Sequence, residues 1–375
     1  PVLAYSFPGV TAFYPDGAWW IPCIMQLNAG LLKVADSLGV DESFCPVRAM
    51  LGAFLSKEHF PDPDLIICST GAVCDDFSAI AARVERLGYP IVWWEMPHRS
   101  RALRKEAVRL PGGQTASRTL VRFVQSQLEQ VRTALEEMTG TPLTEEMLTR
   151  GIQKANTVRR LLRELRRIVF TAPLRPVPAL EMLIAEMLAI HYCSDREECI
   201  RVLEGLVNLA RKRVQQGTGF PGRDAVRIFW VNPVADLGVM NLLEECGARI
   251  CGTEYLFTHA LDPIAGDMPP PRALSLTALS DPMTGSAFDR AERIRRDIHT
   301  FGAEALVISR IPGASHCAAE GVIIRETMEA DSDIPVTEIE VSPVSTSMHP
   351  TIRSRIEALV ETARERRDSN DIRRH

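Results

Sequence analysis

The stretch Asp64-Leu-Ile-Ile-Cys68-Ser-Thr-Gly-Ala-Val-Cys74-Asp-Asp76 has the pattern of a buried strand that runs into a helix. Its apolar run stops at small and polar residues, and apolar residues then recur with helical spacing from Phe77 to Leu87. Ligands of open parallel sheets bind at the carboxyl ends of strands, and the first amides of the following helix favour anions such as thiolates or sulfide. We therefore expect chemistry at Cys74 and Cys68, although Cys68 fits equally well as a small core residue.

Strand and helix signals alternate on both sides of a purely helical middle segment. The predicted strands are Val2–Phe7, Leu65–Ser69, Ile91–Glu95, Val226–Val231, Ala248–Tyr255, Ala305–Ser309 and Pro335–Val341. Strand, helix and strand in sequence favour parallel units, and repeated units favour doubly wound sheets. We predict an α/β protein with two doubly wound parallel-sheet domains and a helical connecting region: an N-terminal α/β domain (1–112), a helical region (113–220) and a C-terminal α/β domain (221–375).

Composition excludes several classes of protein. The 375 residues carry a formal net charge of -5, which gives no basic footprint for nucleic acid and no polybasic membrane patch. No apolar stretch approaches the roughly 20 residues of a membrane span, and no secretory leader is recognisable. We expect a cytoplasmic protein that binds neither nucleic acid nor membrane.

Nine cysteines are present, and a reducing compartment keeps them from pairing. The absence of a C-x2-C pair argues against a zinc finger, a zinc ribbon or a thioredoxin-like motif, so metal ligands must come from distant loops. Cys193 and Cys199 lie in the helical segment and are interpreted as packing or surface residues.

Three thiols are predicted at helix starts: Cys45, Cys74 and Cys317. Pro46 suits the first turn of a helix, and a thiol just before it has a lowered pKa and binds metal as thiolate. Three cysteines from two facing crevices are enough to hold three irons of a 4Fe-4S cluster and leave the fourth iron open. Zinc with three thiolates is the inorganic alternative, because ligand type alone does not distinguish it.

These contexts resemble the 2-hydroxyacyl-CoA dehydratase and benzoyl-CoA reductase subunit family. The residues that carry the resemblance are Cys45-Pro46, Cys74-Asp75, Glu95-Met-Pro-His98, the strand from Ala303 that leads to Cys317, and the late segments 334–340 and 352–358. The resemblance implies two flavodoxin-like domains, an iron-sulfur cluster bound between them by Cys45, Cys74 and Cys317, and an ATP-hydrolysing activator protein that supplies low-potential electrons.

Three further thiols, Cys23, Cys68 and Cys251, lie where the ordinary dehydratase subunit does not require one. Six thiols are the number that two sulfide-bridged cubanes need, so the resemblance is closer to the double-cubane cluster proteins than to a heterodimeric dehydratase subunit. That branch consists of homodimers that reduce small molecules with ATP-driven electrons, so a homodimer is expected. This resemblance implies an 8Fe-9S cluster in place of a single 4Fe-4S cluster. Cys251 is the least supported of the six predicted ligands, and Cys246 is the alternative to it.

Titratable groups near the predicted cluster are His316, Glu95, Glu254 and His98, and a histidine there could donate protons as electrons arrive. The leading hypothesis is an iron-sulfur reductase component with a small-molecule substrate. The alternatives are a 2-hydroxyacyl-CoA dehydratase subunit with one 4Fe-4S cluster and a nonredox metal-binding or cluster-handling protein. The run Gly217-Thr-Gly219-Phe-Pro-Gly222 precedes a strand, which is the reverse of a nucleotide-binding context, so ATP hydrolysis falls to the partner.

Overall fold

The computed structural model describes residues 1–375 except residues 16–24, 26, 73, 101–104, 191–194, 220–223, 332–333 and 375. The side chains of residues 316–319, 331 and 370–374 also lie outside the description. Within the described part of the chain, every helix is too short or too polar to cross a lipid bilayer.

The part of the chain up to Ser117, which we call the first region, holds a two-stranded parallel sheet. Strands β1 (Ile66–Gly71) and β2 (Ile91–Met96) pair in parallel register, and helix α4 (Asp75–Glu85) connects them. Gly71 is required at the end of β1, because its φ is 91° and a Cβ carbon there would meet the carbonyl oxygen of Met96. The other elements are α1 (Val2–Tyr5), α2 (Asn28–Ser37), a 3-10 turn (Pro46–Arg48) that continues into α3 (Ala49–Ser56), and the antiparallel strands β3 (Ala107–Arg109) and β4 (Thr115–Ser117).

Four helices follow, and three of them begin at a side-chain cap. They are α5 (Arg118–Thr139), α6 (Glu145–Thr171), α7 (Ala179–Met187) and α8 (Arg196–Gln215). The side chains of Ser117, Thr144 and Asp195 accept hydrogen bonds from backbone N–H groups in the first turns of α5, α6 and α8. Helix α6 runs through the core, where Leu162 and Leu165 are fully buried.

The second sheet has four parallel strands in the order β6-β5-β7-β8: β5 (Val226–Val231), β6 (Ala248–Glu254), β7 (Ala305–Arg310) and β8 (Val336–Glu340). Helices α9 (Gly238–Glu245) and α13 (His349–Arg374) pack on one face, and α11 (Ala287–Phe301) and α12 (Ser315–Asp331) pack on the other. Helix α10 (Pro270–Leu279) packs against α5. Parallel strands covered on both faces read as continuous apolar runs, which is why β5 and β7 are recognisable in the sequence.

The prediction of an α/β protein with parallel sheets is confirmed, and six of the seven predicted strands agree with the structure to within two residues at each end. The predicted strand Val2–Phe7 is wrong, because this segment contains α1, whose Ser6 hydroxyl donates to the carbonyl of Val2. A short apolar run does not distinguish a strand from a buried helical turn, and packing against Gly151 of α6 decides for the helix. The two flavodoxin-like domains and their boundaries stay a prediction.

Candidate metal centre

A crevice opens at the carboxyl ends of β5 and β7. The chain leaves β5 for α9 on one face of the sheet and leaves β7 for α12 on the other. Such a switch point is where open α/β sheets bind ligands. Asn232, which follows β5 with a φ of 74°, donates its side-chain amide to the carbonyl of Ser309 at 2.9 Å. This hydrogen bond ties together the two strand ends that form the crevice.

The Cys45 turn of the first region lies against the loop that follows β7. Gly313 in that loop has a φ of 76°, and a Cβ carbon on it would lie 2.6 Å from the carbonyl carbon of Phe44 and 3.0 Å from the backbone nitrogen of Cys45. Cys45 is buried and immediately precedes Pro46, which opens the 3-10 turn. The predicted helix start at Cys45 is therefore confirmed, and it faces the switch point of the other sheet.

Cys74 is the N-cap residue of α4, as predicted, and its turn is joined directly to α12. The buried carboxylate of Asp76 accepts hydrogen bonds from the backbone N–H and from the hydroxyl of Ser315, each at 3.2 Å. We call these two hydrogen bonds the Asp76–Ser315 bridge. Ser315 is the first residue of α12, so Cys317 lies in the first turn of that helix. The starts of three helical segments, each with a predicted ligand, therefore come together at one crevice.

Burial dominates the protonation of the thiols in the first region. It raises the pKa of Cys74 to about 11, although the backbone N–H groups of Phe77 and Asp76 act in the opposite direction. Burial likewise raises the pKa of Cys68 to about 11, against hydrogen bonds with Ser78 and Ser69. Cys74 makes a further, smaller contribution that also raises the pKa of Cys68. The helix amides at Cys74 thus lower its pKa, as expected, but burial raises it by more.

Several predicted ligands fall outside the described residues. Cys23 is one, and the side chain of Cys317 is another, as is that of His316, a predicted catalytic residue; residues 316 and 317 have helical backbone. Among the side chains that are described, no three His, Cys, Asp or Glu residues are gathered as a metal-binding group. The thiol of Cys317 is not among those side chains, so the ligand set of Cys45, Cys74 and Cys317 stays a prediction.

Cys251 and Cys246 lie away from this crevice. Cys251 is 1% exposed inside β6, and burial raises its pKa to about 12. Its charged neighbours, Arg227 and Glu304, stand at the amino ends of β5 and β7, opposite to the crevice. Cys246 is the C-cap residue of α9, and its sulfur lies 3.9 Å from Nη1 of Arg353 on α13.

Glu254, a predicted catalytic residue, lies at the end of β6 and is held in a buried ion-pair network. Arg290 of α11 donates to its Oε2 from Nε at 3.0 Å and from Nη2 at 2.5 Å. Arg290 also donates to Glu320 of α12 at 2.8 Å and to Asn232 at 2.5 Å. Although burial alone would lower the pKa of Arg290, Glu254 and Glu320 raise it above its ordinary value. Glu254 therefore has a strong cationic partner already.

The remaining predicted residues of this group lie at the end of β2. Glu95 and His98 are exposed, and the backbone N–H of Glu95 donates to the side chain of Gln127 at 2.7 Å. One residue further on, Arg99 is buried and donates to Asp289 of α11 at 2.6 Å. It also donates to the carbonyl of Asp281 and to the hydroxyl of Thr284, each at 3.1 Å. The β2 end is thus anchored to the second sheet region through Arg99.

Sequence motifs do not reveal the structural roles of three residues: Asp76, Ser315 and Arg290. The sequence places both Asp75 and Asp76 in the first turn of a helix, but only the structure shows that Asp76 is the buried one that bonds to Ser315. Arg290 gives no sequence signal, because its partners lie 36 and 30 residues away along the chain.

Comparison with known proteins extends over nearly the whole chain. A protein-family model described as 2-hydroxyglutaryl-CoA dehydratase, D-component, matches residues 13–363. The matched range includes both parallel sheets, the helices between them and the positions of all six predicted thiol ligands. No curated protein is significantly similar to the chain.

Proposed function

Since the chain belongs to the 2-hydroxyglutaryl-CoA dehydratase D-component family, we propose that it binds an iron-sulfur cluster through Cys45, Cys74 and Cys317 and receives single electrons from an ATP-hydrolysing activator. The family match indicates the dehydratase component of an activator-dependent, iron-sulfur system. The substrate class that we propose is a 2-hydroxyacyl thioester of coenzyme A.

One observation carries this proposal: the helix starts at residues 45, 74 and 315 meet at the switch point of the second sheet. Gly313 contacts the Cys45 turn, and Asp76 bonds to Ser315, two residues before Cys317. These contacts support a common site for thiols that are 29 and 243 positions apart in the sequence.

The donor set fits an iron-sulfur cluster. Thiolates are the usual ligands of such clusters, and the free amides at helix starts stabilise anions. Because burial raises the pKa of Cys74 to about 11, the metal-free protein holds this group as a thiol, and metal binding has to displace its proton. A bound cluster would supply one-electron chemistry at the crevice.

Three thiols are better supported than six. Cys68 lies on β1, whose end is joined to the Cys74 turn through Ser78, and is proposed as an additional ligand, whereas Cys251 lies inside β6 with its charged neighbours at the opposite ends of the strands. The double-cubane reductase is the second candidate, and it is favoured only by the Ser78 hydroxyl, which lies 2.8 Å from the carbonyl of Ser69 and 3.4 Å from that of Cys74 and so joins the β1 end next to Cys68 to the Cys74 turn. It would require Cys23, Cys68 and a further thiol to join the first three.

For the other predicted residues we propose different roles. Glu254 is bound to Arg290 and so is better suited to organising the crevice than to carrying protons. Glu95 and His316 are proposed as proton carriers, since Glu95 is exposed at the carboxyl end of β2 and His316 is in the first turn of α12.

The test is the content of iron and acid-labile sulfide after anaerobic purification. About four irons per chain support a single cluster, and about eight support the double-cubane form. A colourless protein with zinc in place of iron would contradict the proposal and favour the nonredox alternative. The mass of the holoprotein in solution then separates a homodimer from a complex with a second, different subunit.

Electron acceptance needs a separate experiment. The holoprotein is mixed with a reduced activator of this family, with and without ATP, and followed by electron paramagnetic resonance. A signal from the reduced cluster that depends on ATP supports the proposal. The same cluster without any ATP-dependent reduction would leave a metal-binding protein that is not driven by an activator.

A further inference from the structure

We propose that Asp76 is a positioning residue, which fixes the separation between Cys74 and Cys317 without being a ligand. This role rests on the proposed function only for the measurements that need a bound cluster, which are iron release and the spectrum of the reduced cluster. The contact itself is a property of the metal-free chain.

Two helix starts share the Asp76 carboxylate. Asp76 lies in the first turn of α4, an 11-residue helix whose N-cap is Cys74, and it accepts from the first residue of the 17-residue α12. The first N–H groups of a helix have no partner within the helix, and the helix dipole favours negative charge there. One carboxylate therefore stabilises both starts and holds them next to each other.

The hydrogen-bonding geometry makes the contact directional. Both the backbone N–H and the hydroxyl of Ser315 donate to the same oxygen, Oδ2, at 3.2 Å. The carboxylate is 6% exposed, so solvent is a poor substitute for these donors. Loss of the carboxylate would leave the first amide of α12 without this charged acceptor and remove the hydrogen bonds that join the two helix starts.

The other contacts of α12 attach it to its own half of the molecule. Glu320, one turn after Cys317, pairs with Arg290 of α11 at 2.8 Å, and Ile308 of β7 packs against Gly321. Gly313 contacts the Cys45 turn, so this contact fixes the position of Cys45 and not that of Cys74. Among the described residues, the two hydrogen bonds of the Asp76–Ser315 bridge therefore set where α12 lies relative to the Cys74 turn.

The experiment compares Asp76→Ala, Asp76→Asn and Asp75→Ala with the unaltered full-length chain. Asp75 is the matched control, because it carries the same charge in the same turn and is exposed. In the metal-free protein, Cys74 and Cys317 are joined by a short bis-maleimide, and the cross-linked peptide is quantified by mass spectrometry. The holoproteins are compared by the rate of iron release to a chelator and by the electron paramagnetic resonance spectrum of the reduced cluster.

We expect Asp76→Ala to lower the cross-linking yield and to speed iron release by about tenfold, the effect of losing a hydrogen bond to a charged group. Asp76→Asn should fall between Asp76→Ala and the unaltered chain, because its amide oxygen still accepts from Ser315. Asp75→Ala should match the unaltered chain in both measurements. A changed spectrum in Asp76→Ala that is partly restored in Asp76→Asn separates positioning from a loss of stability.

Equal cross-linking and equal spectra in Asp76→Ala and the unaltered chain would overturn the positioning role and leave the proposed function intact. If the unaltered chain bound no iron while Asp76→Ala still reduced cross-linking, the positioning role would stand and the proposed function would fail. Ser315→Ala provides the second variant should Asp76→Ala not fold. It removes only the hydroxyl donor, so a smaller change in the same direction supports the proposal and no change contradicts it.

Discussion

Gly313 and Phe44 touch through their backbones, although 269 positions separate them in the sequence. A Cβ carbon on Gly313 would lie 2.6 Å from both the carbonyl carbon and the carbonyl oxygen of Phe44. Real Cβ atoms do not approach other atoms so closely, and backbone atoms cannot swing aside as a flexible side chain does. The contact thus fixes how near the Cys45 turn comes to the loop before Cys317.

Replacing Gly313 by alanine should push the Cys45 turn away from α12. We expect Gly313→Ala to lose most of its cluster iron and to lower the free energy of unfolding by about 1–3 kcal/mol, from strain at φ 76° and overpacking. Iron content and urea denaturation measure the two effects. Gly88→Ala is the control, since Gly88 has a φ of 96° but nothing within 4 Å of a Cβ carbon. Equal iron loss in both variants would show that backbone strain alone, and not the Phe44 contact, is responsible.

Each of the three proposed ligands should be indispensable for the cluster. We expect Cys45→Ser, Cys74→Ser and Cys317→Ser each to retain a small fraction of the iron, because a cubane with one thiolate missing is readily lost. Cys246→Ser should keep the full content, since Cys246 lies beside Arg353 on α13. Anaerobic reconstitution followed by iron and sulfide analysis makes the comparison. Full iron content in any of the first three variants would remove that residue from the ligand set.

Removal of the Arg290 side chain should be severe. Arg290→Ala leaves Glu254 and Glu320 without their buried cation, and we expect a loss of about 3–5 kcal/mol in the free energy of unfolding. Arg295→Ala, on the same helix, breaks a half-exposed pair with Glu292 and should cost less than about 1 kcal/mol. Urea denaturation of both variants tests this. Similar losses in the two would mean that Glu254 is not buried against Arg290 in solution.

Asp297 on α11 should make the protein less stable as the pH rises. Burial raises the pKa of Asp297, so the folded state binds its proton more tightly than the unfolded state does. Stability from this group is therefore full below the unfolded pKa of 3.8 and falls as the pH rises through the higher, folded pKa. Asp297→Asn should stabilise the protein at neutral pH and flatten this part of the pH profile of urea denaturation.

Glu292→Gln is the matched control, because the pKa of Glu292 is shifted in the opposite direction to that of Asp297. The pKa of Glu292 is lowered by its hydrogen bond with Arg295, so its stabilisation is present above the unfolded pKa and is lost as the pH falls. A steeper profile in Asp297→Asn than in the unaltered chain would contradict the assignment of Asp297.

The strands are recognisable in the sequence because a strand buried on both faces is a continuous run of apolar residues. Val226–Val231 and Ala305–Arg310 are apolar runs that end at polar residues, and each is a central strand of the second sheet. Gly247 after α9 and Pro46 after Cys45 mark element boundaries for equally local reasons. Val2–Phe7 misleads because it is short enough to satisfy either a strand or a helical turn.

The site is only partly recognisable, because its contacts are not local. Thiols at helix starts are visible as Cys45-Pro46 and Cys74-Asp75, and the structure has helix starts at both. The partner of Asp76 lies 239 residues away, and the close approach of Gly313 to Phe44 leaves no mark except a glycine. The lowered pKa expected for a thiol at a helix start is not found at Cys74, because burial depends on the whole fold.

Helix α6 has a consequence for how the molecule melts. It carries Arg166, which hydrogen-bonds to Thr253 of the second sheet, and Gly151, which contacts Ser6 of the first region. Its buried leucines belong to one apolar cluster that includes residues of the first region, the middle helices and the second sheet. Heating should therefore give a single calorimetric transition, in which both sheets lose their order together, instead of separate transitions for successive parts of the chain.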